Sequence, residues 1–281
     1  MVQTKLVILA SCVLLACSCQ YEYSWEKYRM DGHRTGVTAP TADNVPTALG
    51  VVNDSIYVAP NGKTFPKGTA TYATAADLIA VQPEMSRIKQ VIAYAPREMV
   101  AASPESELSN WWVDRIMVDV AALTKHKVDV GIVNFGGIRT AFPAGDILLE
   151  DAVAMFPFNN KLSYVALSGA DLQAVFDFMA STRPQVLGGV KFVLDGHRID
   201  TLLVGGKPID PKKTYGVATV DFLLDGGDGL TIAKNAKELV ITDAKVIDAI
   251  LQYLRSLGAA GKPVEYHTDG RVVVRNWEEG Q

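Results

Sequence analysis

The sequence predicts an α+β fold, with mixed β-sheets and helices packed against them. Three observations lead there. Short β-branched apolar runs such as "VDVGIV" (128–133) read as strands. Longer stretches such as "SPESELSNWWVDRIMVDVAALTK" repeat their apolar residues at helical spacing. Some strand-like runs are joined directly by turn residues, as at "DGHR" (195–198), so hairpins interrupt any regular strand–helix alternation. With 281 residues, 48% of them hydrophobic, the chain can bury one large core or two modest ones.

The first residues read as targeting rather than fold. "MVQTK" carries Lys5, and the following 11 residues, "LVILASCVLLA", are too few to span a bilayer, which takes about 20. They suit the apolar region of a signal peptide. Leu14-Leu15-Ala16-Cys17 resembles the bacterial lipoprotein signal, in which the cysteine becomes the lipidated first residue. Leu9-Ala10-Ser11-Cys12 fits the same pattern after a shorter apolar region, and an ordinary cleaved signal is the alternative. All readings imply export. The division expected is a signal at 1–17 with lipidated Cys17, a polar tether at 18–48, and a folded domain at 49–281. Cys12, Cys17 and Cys19 are the only cysteines, so the folded part has no disulfide framework and no thiol nucleophile.

Along the body, "GVVNDSIYVA" reads as a strand, "PEMSRIKQVIAYA" as helical and "EMVAAS" as a short strand. Next comes the clearest helix. Ser103 is its expected N-cap, Pro104 its first residue, and Glu105 and Glu107 its first-turn partners for the dipole. Leu108, Trp112, Ile116, Val120 and Leu123 form its apolar stripe. "VDVGIV" is a strand covered on both faces, "LLEDAVAMF" a short helix and "LSYVALSG" a strand. "GADLQAVFDFMAST" is a helix presenting Leu172, Val175, Phe176 and Met179. "GVKFVLDG" and "IDTLLVGGKPI" pair across "DGHR", and "TYGVATVDFLL" is a strand entering "DGGDG". "DAKVIDAILQYLRSLG" is a helix with Gly258 just past its end, and "GRVVVRN" a closing strand. "DGHR" also occurs at 31–34, in an unlike context, so no repeat is inferred.

The formal net charge of −4 argues against a nucleic-acid footprint. A small anion is still compatible, because that needs only local cations. "NFGGIR" (134–139) offers one. Glycines permit positive φ and close approach, successive amides can form an anion nest, Asn134 both donates and accepts, and Arg139 carries a planar fork of donors. Taken alone, a tight turn with a surface arginine explains this stretch equally well.

Three more stretches stand in order around it: E-S-x-x-x-N-x-x-x-D (Glu105 to Asp114), "PFNN" (157–160) and D-F-x-x-x-G-G-D-G (Asp221 to Gly229). Together the four motifs resemble the C-terminal, substrate-binding domain of 5′-nucleotidases and UDP-sugar hydrolases, over about residues 85–277. The resemblance implies an α+β domain of that family's type, facing a separate metallophosphatase domain. It implies that Phe158 and Phe222 sandwich a nucleobase, and that Asp228 takes the ribose hydroxyls. Arg139 with Asn134 then holds the phosphate side, over a loop opened by Gly136 and Gly137. Asn110 and Asp114 become supports for these loops. Two departures stand out. Pro104 occupies a place where family members usually carry an arginine, which predicts weaker anion binding. Phe135 replaces a glycine of the motif, which narrows the approach of ligand to backbone.

Hydrolysis in this family uses two divalent ions about 3.5–4 Å apart. Its metal signature, which includes G-N-H-[DE], does not occur here. The four histidines, His33, His126, His197 and His267, are scattered, and Asp31–His33 and Asp195–His197 read as turn residues. No G-x-S-x-G or Walker loop is present. The sequence therefore predicts no catalytic residue and no cofactor in this chain. The first residues predict an exported, lipid-anchored envelope protein, and the resemblance implies a metallophosphoesterase partner chain that holds the divalent metals. The alternatives are a non-catalytic nucleoside- or nucleotide-binding lipoprotein and a degenerate scaffold.

Overall fold

A computed structural model describes residue 40 and residues 43–277. Cys17, most of the tether and Asp31–His33 lie outside the described residues. The described chain forms two compact units, one ending at Ala76 and one beginning at Asp77.

In the first unit, Val45–Ala48 is a single helical turn. An antiparallel sheet follows, ordered β1 (Val51–Val52), β2 (Ile56–Val58), β3 (Thr64–Pro66). "GVVNDSIYVA" is thus a hairpin rather than one strand. The reason is Asn53, whose Oδ1 accepts from the backbone of Ser55 and Ile56, both at 2.9 Å, and turns the chain. Tyr57 stacks on Phe65 at 5.8 Å. The helix Ala70–Ala80 begins in this unit.

The second unit carries the mixed α+β architecture expected from the sequence. Its strands are β4 (Val91–Ala95), β5 (Val130–Val133), β6 (Gly145–Leu148), β7 (Lys161–Ser168), β8 (Val186–Gly188), β9 (Val190–Asp195), β10 (Arg198–Val204), β11 (Lys207–Pro208), β12 (Thr214–Val220), β13 (Glu238–Lys245) and β14 (Val272–Arg275). The central sheet runs β13-β7-β12-β5-β8. β12 pairs parallel with β5 and antiparallel with β7, and β5 is buried along its whole length. A second sheet, β11-β10-β9-β14, contains the hairpin across "DGHR", with β14 added parallel to β9. β4 pairs with β6. "EMVAAS" forms no strand; only Met99 bridges to Phe142.

The helix Glu107–Thr124 lies on the central sheet. It comes close because β5 carries Gly131, where a Cβ would stand 2.6 Å from Val113. Leu108, Trp112, Ile116 and Val120 are buried as expected, Trp111 joins them, and Leu123 is instead half exposed. The helix starts later than the sequence suggests. Ser106 is the N-cap, in a reciprocal capping box with Ser109. Glu105 does not serve the helix dipole. Its Oε1 accepts from Asn110 Nδ2 at 2.7 Å and from the backbone of Asp269 at 2.8 Å. Glu107 pairs with Arg97.

The helix Gly169–Ser181 buries Leu172, Phe176 and Met179 between the two larger sheets. The helix Val246–Ala259 packs on β4. Gly258 belongs to that helix and does not follow its end. A Cβ there would lie 2.3 Å from Ile92 O, so the glycine serves close packing.

Candidate functional site

β5 delivers Asn134 to the edge of the core, 4% exposed. Phe135–Gly137 then makes a single 3₁₀ turn. Four of the five amides of residues 135–139 are used internally. Gly137 N donates to Asn134 O and Ile138 N to Phe135 O, both at 3.0 Å, Phe135 N to Gln185 Oε1 at 3.2 Å, and Arg139 N to Met155 O at 3.0 Å. No anion nest forms from these groups, contrary to the sequence expectation. Nor do Gly136 and Gly137 adopt positive φ. Gly137 is required for space, because a Cβ there would stand 2.6 Å from the Trp112 ring.

Trp112 supports a second piece of the site. Its ring packs against Phe156 at 5.3 Å, with both side chains buried. Two residues on, Phe158 faces outward, 41% exposed. The Arg139 guanidinium sits 5.9 Å from the Phe158 ring centre and reaches Gly136 O at 3.4 Å.

The third piece follows β12. Phe222 lies on the 3₁₀ turn Asp221–Leu223, 46% exposed. Asp221 Oδ1 accepts from Lys161 N at 3.0 Å, which ties this turn to the start of β7. "GGDG" folds back on it, so closely that a Cβ at Gly227 would stand 2.0 Å from Phe222 O. Gly226 (φ 101°), Asp228 (φ 48°) and Gly229 (φ 77°) all sit in the left-handed region. Asp228 is turned toward Asn134, whose Nδ2 donates to Asp228 Oδ2 at 2.7 Å. Asn134 Oδ1 is buried without a partner among the described residues.

The seven binding residues named from the sequence all line one cleft of about 220 Å³, and Asn160 joins them. Asn160 was not among the expected residues; its signal in the sequence is the polar side chain two places after Phe158 in "PFNN". Phe135 does not line the cleft. Its ring packs partly buried against the core, so the expected narrowing does not arise from it. A wider groove of about 670 Å³ lies between β4 and the end of the helix Val246–Ala259, but its charges, Asp146, Arg255, Lys262 and Glu265, balance around its rim. The smaller cleft carries the convergent rings and polar groups.

Asn110 and Asp114 also stay out of the cleft. Asn110 Nδ2 bonds Glu105 and His267 O. Asp114 holds Arg271 at 2.6 and 2.9 Å and accepts from Tyr266 Oη at 2.6 Å, and Arg271 also binds Asp269. Burial disfavours the Arg271 cation, but Asp114 and Asp269 outweigh it and hold its pKa above the usual arginine value. Asp269 is lowered by its hydrogen bond to Arg271. Burial, then the bond to Asp114, push Tyr266 up to about 12. These residues brace the C-terminal strand against the helix.

Residues 87–235 match the family model described as 5′-nucleotidase, C-terminal domain. The chain belongs to this family. Among relatives of this member, the silent protein UshA(0) of Salmonella typhimurium is 32% identical over 148 residues, covering 50% of this chain and 27% of its own length. The 5′-nucleotidase of Vibrio cholerae is 31% identical over 170 residues, covering 57% and 30%. The crystal structure of a 5′-nucleotidase precursor from Thermus thermophilus aligns with TM-score 0.63 at 27% identity, over 73% of this chain and 44% of that one. The chain thus spans under a third of the length of these two curated relatives.

The described residues of this family member do not fit a two-metal hydrolytic centre. Among the described residues, no three His, Cys, Asp or Glu side chains are grouped to hold an ion. Asp195 is engaged by Asn276 and Arg198, and His197 Nδ1 lies 3.0 Å from Ala180 O. His126 stacks on Tyr164 and meets Glu238.

Proposed function

We propose that this chain is the nucleotide-recognition part of a 5′-nucleotidase-type phosphohydrolase, with hydrolysis supplied by a separate metallophosphoesterase chain. The supporting observation is the convergence of two exposed phenylalanines, a carboxylate, an amide and a guanidinium on one cleft. Phe158 and Phe222 present flat faces that stack on any base, at about 1–3 kcal/mol each. Asp228 accepts from the vicinal ribose hydroxyls, with Asn134 fixing one of its oxygens. Arg139, at the rim, meets the phosphate side. Gly136 and Gly137 keep the floor low.

Purified chain with AMP and Mg²⁺, Mn²⁺ or Zn²⁺ should release no phosphate. Adding the phosphoesterase should yield adenosine and phosphate. Turnover by the lone chain would overturn the division of labour. We further propose that the protein is exported and lipid-anchored through Cys17. Cys17→Ala should then move it from the membrane fraction to the soluble one, and an unchanged distribution would count against the anchor. Among the described residues no helix is long and apolar enough to cross a membrane.

A further inference from the structure

We infer that the cleft reads the nucleoside portion of its ligand and takes little affinity from phosphate, so that nucleosides bind nearly as well as nucleotides. This rests on the cleft being a nucleotide site at all. The lining carries one cation, Arg139, and one carboxylate, Asp228, so its formal charge is zero. Most of the loop's backbone donors are also taken, because the amides of Phe135, Gly137, Ile138 and Arg139 all donate inside the protein, which leaves that of Gly136. Arg139 is exposed and leans over Phe158. A guanidinium in water gains little from one anion: surface ion pairs are screened and change affinity by about fivefold or less.

Everything else in the lining suits an uncharged ligand. Two rings offer apolar faces, Asp228 accepts from hydroxyls, and Asn134 and Asn160 are neutral. At about 220 Å³ the cleft is smaller than most small-molecule pockets, which run about 300–1,000 Å³. A base fills it, the sugar lies at its mouth, and a 5′-phosphate projects into water. The domain then retains the nucleoside after phosphate leaves, and product competes with substrate.

Calorimetry with adenosine and with AMP, at low and at physiological salt, tests this. The expected dissociation constants differ by no more than about fivefold at low salt, and the difference closes as salt rises or with Arg139→Gln. Millimolar inorganic phosphate should leave adenosine binding unchanged. AMP binding more than tenfold tighter than adenosine, or phosphate displacing adenosine, overturns the inference while the cleft assignment stands. Binding of neither ligand overturns both. A melting curve for Arg139→Gln that matches the parent confirms that the variant is folded.

Discussion

Phe158 and Phe222 leave 41% and 46% of their surface in water, although the core nearby buries Phe142, Phe156 and Phe176 almost completely. Each ring keeps close to half of its surface open to a ligand, so each can be removed without emptying the core. Phe222→Ala should change stability by no more than about 0.5 kcal/mol. It should weaken adenosine binding by about 1–3 kcal/mol, the value of one stacked base. A large drop in melting temperature with unchanged affinity would make the ring a packing residue. At this scale the residue types were legible, because asparagine, arginine and glycine-flanked aspartate carry recognisable chemistry. Their reasons were less so. Gly137 reads as a source of backbone freedom, yet its role is to admit the Trp112 ring, a contact between positions 25 residues apart that no local pattern records. Phe135 looks like an obstruction only until its ring is seen to turn to the core.

The helix Glu107–Thr124 acts as a brace for the C-terminal segment. Asp114, Arg271, Asp269 and Tyr266 form one network, with Arg271 only 9% exposed. Tyr266 gives it a measurable signature. Its pKa rises from an unfolded value of roughly 10 to about 12. A raised folded pKa stabilises the fold fully below the unfolded value, and that contribution is lost as pH climbs through about 12. Phenolate absorbance, assigned by the difference between the parent and Tyr266→Phe, should therefore show Tyr266 titrating well above the ordinary tyrosine value. Asp114→Asn should bring it earlier, though not to the ordinary value, since burial remains the larger cause. Titration of Tyr266 at the ordinary tyrosine value would contradict the network. Long helices and the buried strand β5 were legible from periodicity. β8, with three residues, and β6, which begins "GD", carry too little pattern to be read. β13 escapes for another reason: it is a sheet edge with Leu239 and Ile241 exposed, so apolar residues appear on both faces and the alternation is blurred. The helix start was misplaced because Ser103 and Ser106 are equally good caps by type. Each has a serine three residues on, but only at Ser106 is the bond returned, with Ser109 Oγ accepting from Ser106 N at 2.9 Å.

Across the second unit, the central sheet brings positions 134, 158, 222 and 228 together by setting β5 and β7 on either side of β12. The α+β class was readable because hairpins and helices both leave local signals. The parallel pairing of β12 with β5 was not, since it joins residues far apart in sequence. That pairing puts the loop after β5 beside the loop after β12, and the account of function rests on it. On the proposed reading, recognition and hydrolysis are separate physical tasks, of which this chain would perform the first. The direct measurement uses fluorine NMR of protein carrying fluorophenylalanine, with Phe158→Leu and Phe222→Leu variants to assign the two signals. Adding adenosine should shift both resonances together by the ring current of one base held between them, with saturation at the calorimetric stoichiometry. Saturable binding that leaves both resonances unmoved would place the ligand elsewhere and contradict the account.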